Sequence, residues 1–359
     1  MRVSGLNLGE VKRQNEKLCS GNTRKRLTAM ARKSAHPKSL SDLKTEITKS
    51  LGEGVITFLG DEGLDVPKIS TGILAVDRIT GGGFANGTFV EIYGSHGGGK
   101  SSISQSTVAQ VQKAGGACVY VDLENSLDPH MLTNAGVDTD SLMVAQPATS
   151  EDTLEVLERC LSVPDVSLVV VDSVAGMVPK AELEGDWSDA VVGLQARLMS
   201  KGMRKLHSLL RSANSEAVVI WINQVRDRIG GMGFGPQTTT TGGRALDFWT
   251  STRLEVSRIK NLGPTDNIQG HQVKVKVTKN RHAPPFKVAT FDVYYDTGIS
   301  NGSTLLEWAL EADLVKQKGS WFMDVATGEQ LGQGKLNTAL SIESDPVLFE
   351  RLLAEVTTT

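Results

Sequence analysis

The sequence predicts an α/β fold: a mostly parallel central sheet flanked by helices, preceded by a basic, helical extension and followed by a small α+β module. Three observations carry this. Apolar, Val/Ile-rich runs of strand length (VEIYG at 90–94, SLVVVDS at 167–173, EAVVIWINQ at 216–224) suit strands buried on both faces. Helix-forming stretches alternate with these runs, as in a parallel sheet with crossover helices. A complete G-x-x-x-x-G-K-S motif at 94–101 joins the first run to the first such stretch.

The 359 residues suffice for one large domain with appendages. Cys19, Cys118 and Cys160 are widely spaced and form no C-x-x-C pair, so neither a disulfide framework nor a zinc site is expected. No apolar run reaches the roughly 20 residues that span a bilayer, and the N-terminus lacks a secretory apolar core. A reducing, cytoplasmic setting without membrane partners is the expectation.

In chain order, residues 1–38 hold ten Lys/Arg against Glu10 and Glu16, a local +8 that leaves −11 for the rest of a chain of net −3. Three readings stay open for this arm: nucleic-acid binding through counterion release, a solvated extension, or an organelle transit peptide. Residues 39–52 predict a helix capped by Ser41, with Leu43, Ile47 and Leu51 along one face. Residues 39–65 are expected to serve oligomerisation, 66–299 to form the core, and 300–359 the small module.

Within the core, Gly94, Ser95, His96, Gly97, Gly98, Gly99, Lys100, Ser101 and Ser102 form a phosphate-binding turn at a helix start. Lys100 is placed to neutralise β/γ charge and Ser101 to ligate Mg²⁺, so ATP with Mg²⁺ is the expected ligand pair. A helix follows over 101–115, then the strand ACVYVDLE (117–124), a helix around 151–162, and two further apolar strands ending near Asp172 and Gln224. Ligands of such sheets lie at the strands' carboxyl ends. There Asp172 can support the metal shell, Glu124 can orient an attacking water, and Gln224 can sense a γ-phosphate. A lone acid at a strand end is more often a cap or a surface group; three ends in register behind this motif favour the catalytic reading.

Two long segments follow these strands. EGDWSDAVVGLQAR (184–197) leads into a helix bearing Arg197, Ser200 and Arg204, with Val192 in the turn before it. Residues 225–246 are rich in glycine and carry four threonines, Arg226, Arg228, Arg244 and Phe234; no stable helix or strand is expected there. Flexible backbone donors, hydroxyls and guanidinium groups suit an irregular phosphate backbone. Farther on, Val273 to Val277 alternates with Lys274 and Lys276, so the lysines share one sheet face, either as a solvated face or as a second binding surface. Lys279 and Arg281 flank Asn280 at that strand's end. The final module is read as a helix at 304–315, a strand pair at 319–335 and a last helix at 345–356, with Trp308, Trp321 and Phe322 as core.

Taken together, ISTGILAVDRITGGGFANGTFVEIYG, CVYVDLENSLDP, VVVDSVAGMVPKAELEG, INQVRDRIG, TTTTGGRAL and VTKNRHAPPFK, in that order, resemble the RecA family of bacterial recombinases over roughly residues 40–350. The resemblance implies an ATP-dependent, self-assembled helical filament on single-stranded DNA that pairs it with homologous duplex and exchanges strands in recombination and repair. Single-strand-binding and loader proteins are further candidate partners. The resemblance also implies that Asp128 and Tyr295 contact the nucleotide, that Lys279 and Arg281 reach a neighbour's ATP, and that Gly242 and Gly243 belong to a DNA-binding loop. Arg258 with Lys274 and Lys276 resembles a second DNA site.

Three departures stand out: Ser-His-Gly-Gly inside the phosphate loop, Met131 where an aromatic commonly stacks on adenine, and Asp247 where lysine is frequent. The other class kept open is a RecA-like ATPase that loads or regulates without exchanging strands; intact Glu124, Gln224, Lys279 and Arg281 argue against it.

Overall fold

The computed structural model describes residues 39–52, 55–56, 58, 66–186, 193–213, 215–227 and 238–358. The expectations for residues 1–38, and for Val192, Arg228 and Phe234, lie outside these residues. The chain divides into two units, residues 1–65 and 66–359.

In the first unit, α1 (Leu40–Leu51) starts one residue before its expected cap. Ser39, not Ser41, is the N-cap, its hydroxyl accepting from Asp42 N at 3.1 Å. Ser41 instead lies inside the helix, where its carbonyl accepts from the Thr45 hydroxyl. No residue of α1 is buried, and Leu51 is largely exposed.

The second unit is built on one large sheet. Its parallel part comprises β3 (Phe89–Gly94), β4 (Ala117–Asp122), β5 (Met143–Ala145), β6 (Val166–Asp172), β7 (Val218–Asp227) and β9 (Thr252–Leu262), in spatial order β9-β3-β7-β6-β4-β5. Beyond β9 the sheet continues antiparallel through β10 (Gly270–Asn280), β11 (Val288–Tyr294) and β12 (Gly298–Ser300). A separate short pair, β1 (Lys68–Ile69) and β2 (Phe84–Ala85), brackets helix α2 (Leu74–Thr80).

Alternate residues of the parallel strands feed two cores, which is why these runs read as continuously apolar. Val90, Ile92, Val170 and Ile220 pack on the face of α3 (Lys100–Lys113). Phe89, Val169, Val171 and Trp221 pack on the other face, under α5 (Ser150–Leu161) and α7 (Leu194–Ser212). The short α4 (Pro129–Asn134) adds Leu132 to the first core, and α6 (Lys180–Leu183) is a further short helix before α7. Full burial of each such side chain stabilises by about 1.5–3 kcal/mol.

The segment expected to hold no regular structure does hold some. β7 runs on through Asp227, and Thr238–Thr240 returns beside it as β8, pairing Val225 with Thr240 and Asp227 with Thr238. β-Branched threonines favour that extended pairing. A short helix, α8 (Ala245–Trp249), follows directly.

In the last module, α9 (Asn301–Glu311) ends before the expected 315. Val315–Lys318 is instead β13, the edge of a three-stranded antiparallel sheet with β14 (Trp321–Asp324) and β15 (Gln330–Gln333). Helix α10 (Lys335–Ser344), absent from the sequence reading, precedes α11 (Pro346–Thr358). Phe322 is core, and Trp308 is partly buried under the Arg78 guanidinium at 4.4 Å. Trp321 is not core: it is 40% exposed, because its neighbour Phe322 takes the inward-facing position of that strand. Asn301 ties the module to the core, its Oδ1 accepting from Leu74 N and its Nδ2 donating to Gly72 O.

Candidate functional site

The phosphate loop leaves β3 at Gly94, whose register partners are Gln224 on β7 and Val256 on β9. Gly99 has φ +96°, and a Cβ there would lie 2.7 Å from Val273 Cγ2, so only glycine lets the loop sit directly on β10. Helix α3 then begins at Lys100 without a side-chain cap, leaving its first N–H groups for an anion. Ser95 and His96 are exposed at the loop's tip, Gly98 is buried, and Ser101 and Ser102 are half-buried in the first turn.

Lys100 is 8% exposed, and its ammonium donates to the carbonyls of Gly94 at 3.2 Å and Ser95 at 2.7 Å. Burial lowers its pKa, while Asp172 and Glu124 oppose that shift. A buried cation curled into a loop of backbone donors is the chemistry a polyphosphate requires, so the residues fit ATP.

Asp172 closes β6 opposite Asp122 of β4. Its Oδ2 accepts from Tyr120 Oη at 2.7 Å and Ser101 Oγ at 3.1 Å. Burial raises its pKa, partly offset by those two hydroxyls. Ser101 and Asp172 thus lie together where a hard cation with oxygen ligands would be held.

Glu124 is exposed, two residues past β4. Its Oε1 accepts from Gln224 Nε2 at 2.8 Å and also from the Ser173 hydroxyl. Three strand ends therefore converge as the sequence reading expected, and Ser173 and Tyr120 join them unforeseen. The available signals were adjacency, Ser173 directly following Asp172, and a tyrosine inside an otherwise aliphatic strand.

From Gln224 the network continues. Its N–H donates to Asn223 Oδ1, while Asn223 Nδ2 donates to Glu91 Oε1 at 2.9 Å and to Thr241 O at 3.0 Å. Glu91, fully buried in β3, pairs with Arg253 at 2.5 Å, and Arg253 also holds Asp247 of α8. Asp247, which stands where lysine is frequent in the family, thus has a partner within the chain. Lys279 donates to the carbonyls of Asp247 at 2.6 Å and Phe248 at 3.2 Å, and Arg281 donates to Phe248 O at 3.2 Å. Both cations rest on the C-terminal end of α8, where carbonyl groups point outward. Burial lowers the Lys279 pKa, reinforced by neighbouring Arg281.

The candidate DNA-facing groups fall in two places. Arg197, Ser200 and Arg204 are exposed at helical spacing on α7. The glycines of the second loop reach that helix: a Cβ on Gly243 would lie 3.0 Å from Ala196 Cβ, and one on Gly242 would lie 3.6 Å from Met199 Cγ and 3.0 Å from Val174 Cγ1, just past β6. Arg244, next in sequence, is exposed. Arg226 lies in β7 opposite Thr239. On the other side of the sheet's parallel part, Lys274 and Lys276 project from β10 opposite Ser257 and Glu255, while Val273, Val275 and Val277 are buried. Arg258 pairs with Val273 and donates to Asn261 Oδ1 and, at 3.3 Å, to Tyr295 Oη. Asp128 caps α4 by accepting from His130 N, and Met131 beside it is exposed.

Comparison with known proteins bears on all of this. The family model for the RecA N-terminal domain matches residues 38–300, and that for the RecA C-terminal domain matches 303–359. The chain is 43% identical to Protein RecA of Sulfurovum sp. (strain NBC37-1) over 329 residues, 91% of this chain and 94% of that protein. It is 43% identical to Protein RecA of Corynebacterium glutamicum (strain R), covering 88% of this chain and 83% of that protein. Protein RecA of Lactobacillus acidophilus is 40% identical over 87% of this chain and 85% of its own length. With the two domain models together matching residues 38–300 and 303–359, and relatives of this identity covering most of its length, the chain belongs to the RecA family.

Proposed function

We infer that this chain is an ATP-dependent recombinase: it assembles on single-stranded DNA, pairs that strand with homologous duplex and exchanges strands. The observation that carries the reading is the Gln224–Glu124 contact, because it joins the residue that would orient water to the strand that becomes the second loop.

Hydrolysis asks the protein for positioning and charge rather than covalent chemistry. Lys100, with the amides of residues 97–101, holds the β- and γ-phosphates. Glu124 accepts a proton-side hydrogen bond from water and aims its oxygen at the γ-phosphorus. Ser173 and Gln224 fix the carboxylate's rotamer, and a γ-phosphate would compete for the Gln224 amide. Mg²⁺, held by Ser101 and through the Asp172 shell, would neutralise charge between the β- and γ-phosphates. Lys279 and Arg281 act on a neighbouring copy's ATP, which makes turnover depend on assembly.

When Gln224 turns toward phosphate, β7 and the paired threonines of β8 carry the change to Gly242–Arg244 against α7. DNA held by Arg197, Ser200, Arg204 and the second loop is thereby linked to nucleotide state, and Lys274, Lys276 and Arg258 hold the incoming duplex or the displaced strand. Asp128 and Tyr295 lie at the base side. No helix among the described residues is long and apolar enough to cross a membrane, and a cytoplasmic setting with single-strand-binding and loader proteins accords with the family.

The test is fluorescence-monitored exchange between single-stranded DNA and homologous duplex with ATP and Mg²⁺. Homology-dependent product supports the reading; DNA-stimulated hydrolysis without product would move the chain to the loader or regulator class. Lys100→Ala is expected to abolish nucleotide binding and with it every later step.

A further inference from the structure

His271 is 8% exposed on β10, and among the described residues neither ring nitrogen has a hydrogen-bond partner. A buried imidazole normally satisfies at least one nitrogen, and leaving one unpaired costs on the order of a lost hydrogen bond. Three observations say where this one points. Side chains alternate along β10, so His271 shares a sheet face with Val273, the residue on which Gly99 of the phosphate loop rests. Two residues of strand place it about 7 Å along from that contact. Its ring centroid lies 5.8 Å from that of Tyr295, which is 48% exposed.

The surroundings define the chemistry. Arg258, across β9, turns to Asn261 and Tyr295 and not to the imidazole. Burial together with Arg258 lowers the His271 pKa, so the ring stays neutral and offers one donor and one acceptor. A neutral donor–acceptor pair without charge does not suit a phosphate. It suits the uncharged half of a nucleotide: a purine edge or a ribose hydroxyl.

We propose that His271 is a specificity-determining residue that hydrogen-bonds the nucleoside part of ATP beside Tyr295. The proposal rests on the nucleotide-binding reading above and adds to it a contact that neither the phosphate-loop motif nor the sequence resemblance assigned.

The experiment compares binding of ATP, dATP and inorganic tripolyphosphate, each with Mg²⁺, to the full chain and to two variants. His271→Phe keeps a buried ring without its nitrogens; His271→Asn restores a donor and an acceptor. Losing one net hydrogen bond is expected to weaken ATP about three- to tenfold in His271→Phe. Tripolyphosphate is expected to bind the parent and the variant alike, and His271→Asn to regain part of the ATP affinity. If dATP escapes the loss, the contact is to the 2′-hydroxyl; if it shares the loss, the contact is to the base or to the 3′-hydroxyl, which dATP retains. Unchanged ATP affinity in His271→Phe, or equal weakening of ATP and tripolyphosphate, would overturn the proposal. Failure of the parent to bind either ligand, or retention of binding by Lys100→Ala, would instead overturn the underlying nucleotide reading.

Discussion

Arg253 sets its Nε 2.5 Å from Oε2 of Glu91, a carboxylate with no solvent exposure in the middle of β3. The two strands are register neighbours, Glu91 facing Arg253 directly. Burial pushes the Glu91 pKa up, and the guanidinium is the largest force pulling it back. Asn223 takes the second carboxylate oxygen, and Asp247 takes the far side of the guanidinium. Four side chains from β3, β7, β9 and α8 thus form one polar bridge.

Breaking one half of that bridge is expected to cost more than removing it. Arg253→Leu leaves Glu91 buried and unpaired, a loss of about 3–5 kcal/mol. Glu91→Gln combined with Arg253→Leu removes the stranded charge and should recover a large part. Urea unfolding of the three proteins measures this; a double variant as unstable as the single would mean the pair contributes only by packing.

Asp172 predicts a pH signature. Its folded pKa is raised from the ordinary 3.8, chiefly by burial. The folded state therefore holds the proton more tightly than the unfolded chain. The stability this contributes is fully present below the unfolded pKa and is lost as pH rises through the folded one. Melting curves of the nucleotide-free protein between about pH 4 and pH 7 should show that loss in the parent and a flatter profile in Asp172→Asn. An identical slope in both would show that the carboxyl titrates as if solvated.

Much of this site could be read from the sequence because its parts are local. The phosphate loop is eight consecutive residues, and Asp172 and Gln224 close apolar runs whose length alone marks their ends. The bridge was not legible, since Glu91 and Arg253 stand 162 positions apart and only strand order brings them together. The one local hint was an acid inside a fully buried run, which must find a cation. Residues 238–240 looked like loop because their partner strand, not their own pattern, makes them extended. Helix α10 was missed for the opposite reason: Asn337, Thr338 and Ser341 are indifferent helix formers, and burial of Ala339 and Ile342 against α9 decides the matter.

Glu124 and Gln224 should separate kinetically although they touch. Glu124→Gln keeps the size and the Ser173 side of the contact while removing the charge that orients water. Turnover is expected to fall roughly a hundredfold or more, with ATP and DNA binding retained. Gln224→Ala leaves the carboxylate in place and cuts the link to β7, so basal hydrolysis should persist while its stimulation by DNA is lost. Steady-state ATPase assays with and without single-stranded DNA distinguish the two; full stimulation in Gln224→Ala would remove that amide from the coupling.

Lys279 and Arg281 pose the sharpest question, because in the isolated chain both are bound to the carbonyl end of α8. If they serve a neighbour's ATP, their loss acts across an interface, whereas Lys100→Ala acts within its own subunit. Each variant alone should be inactive, Lys279→Ala by about a thousandfold in turnover. In a mixture, a Lys279→Ala subunit still binds ATP, and a Lys100→Ala neighbour still presents both cations. One interface in the mixed filament is therefore complete, and DNA-dependent hydrolysis should reappear on mixing. Recovery must scale with the product of the two variants' fractions, peaking at equal amounts. A cis role for Lys279 predicts no recovery at any ratio, since every ATP-competent subunit would then lack its own cation.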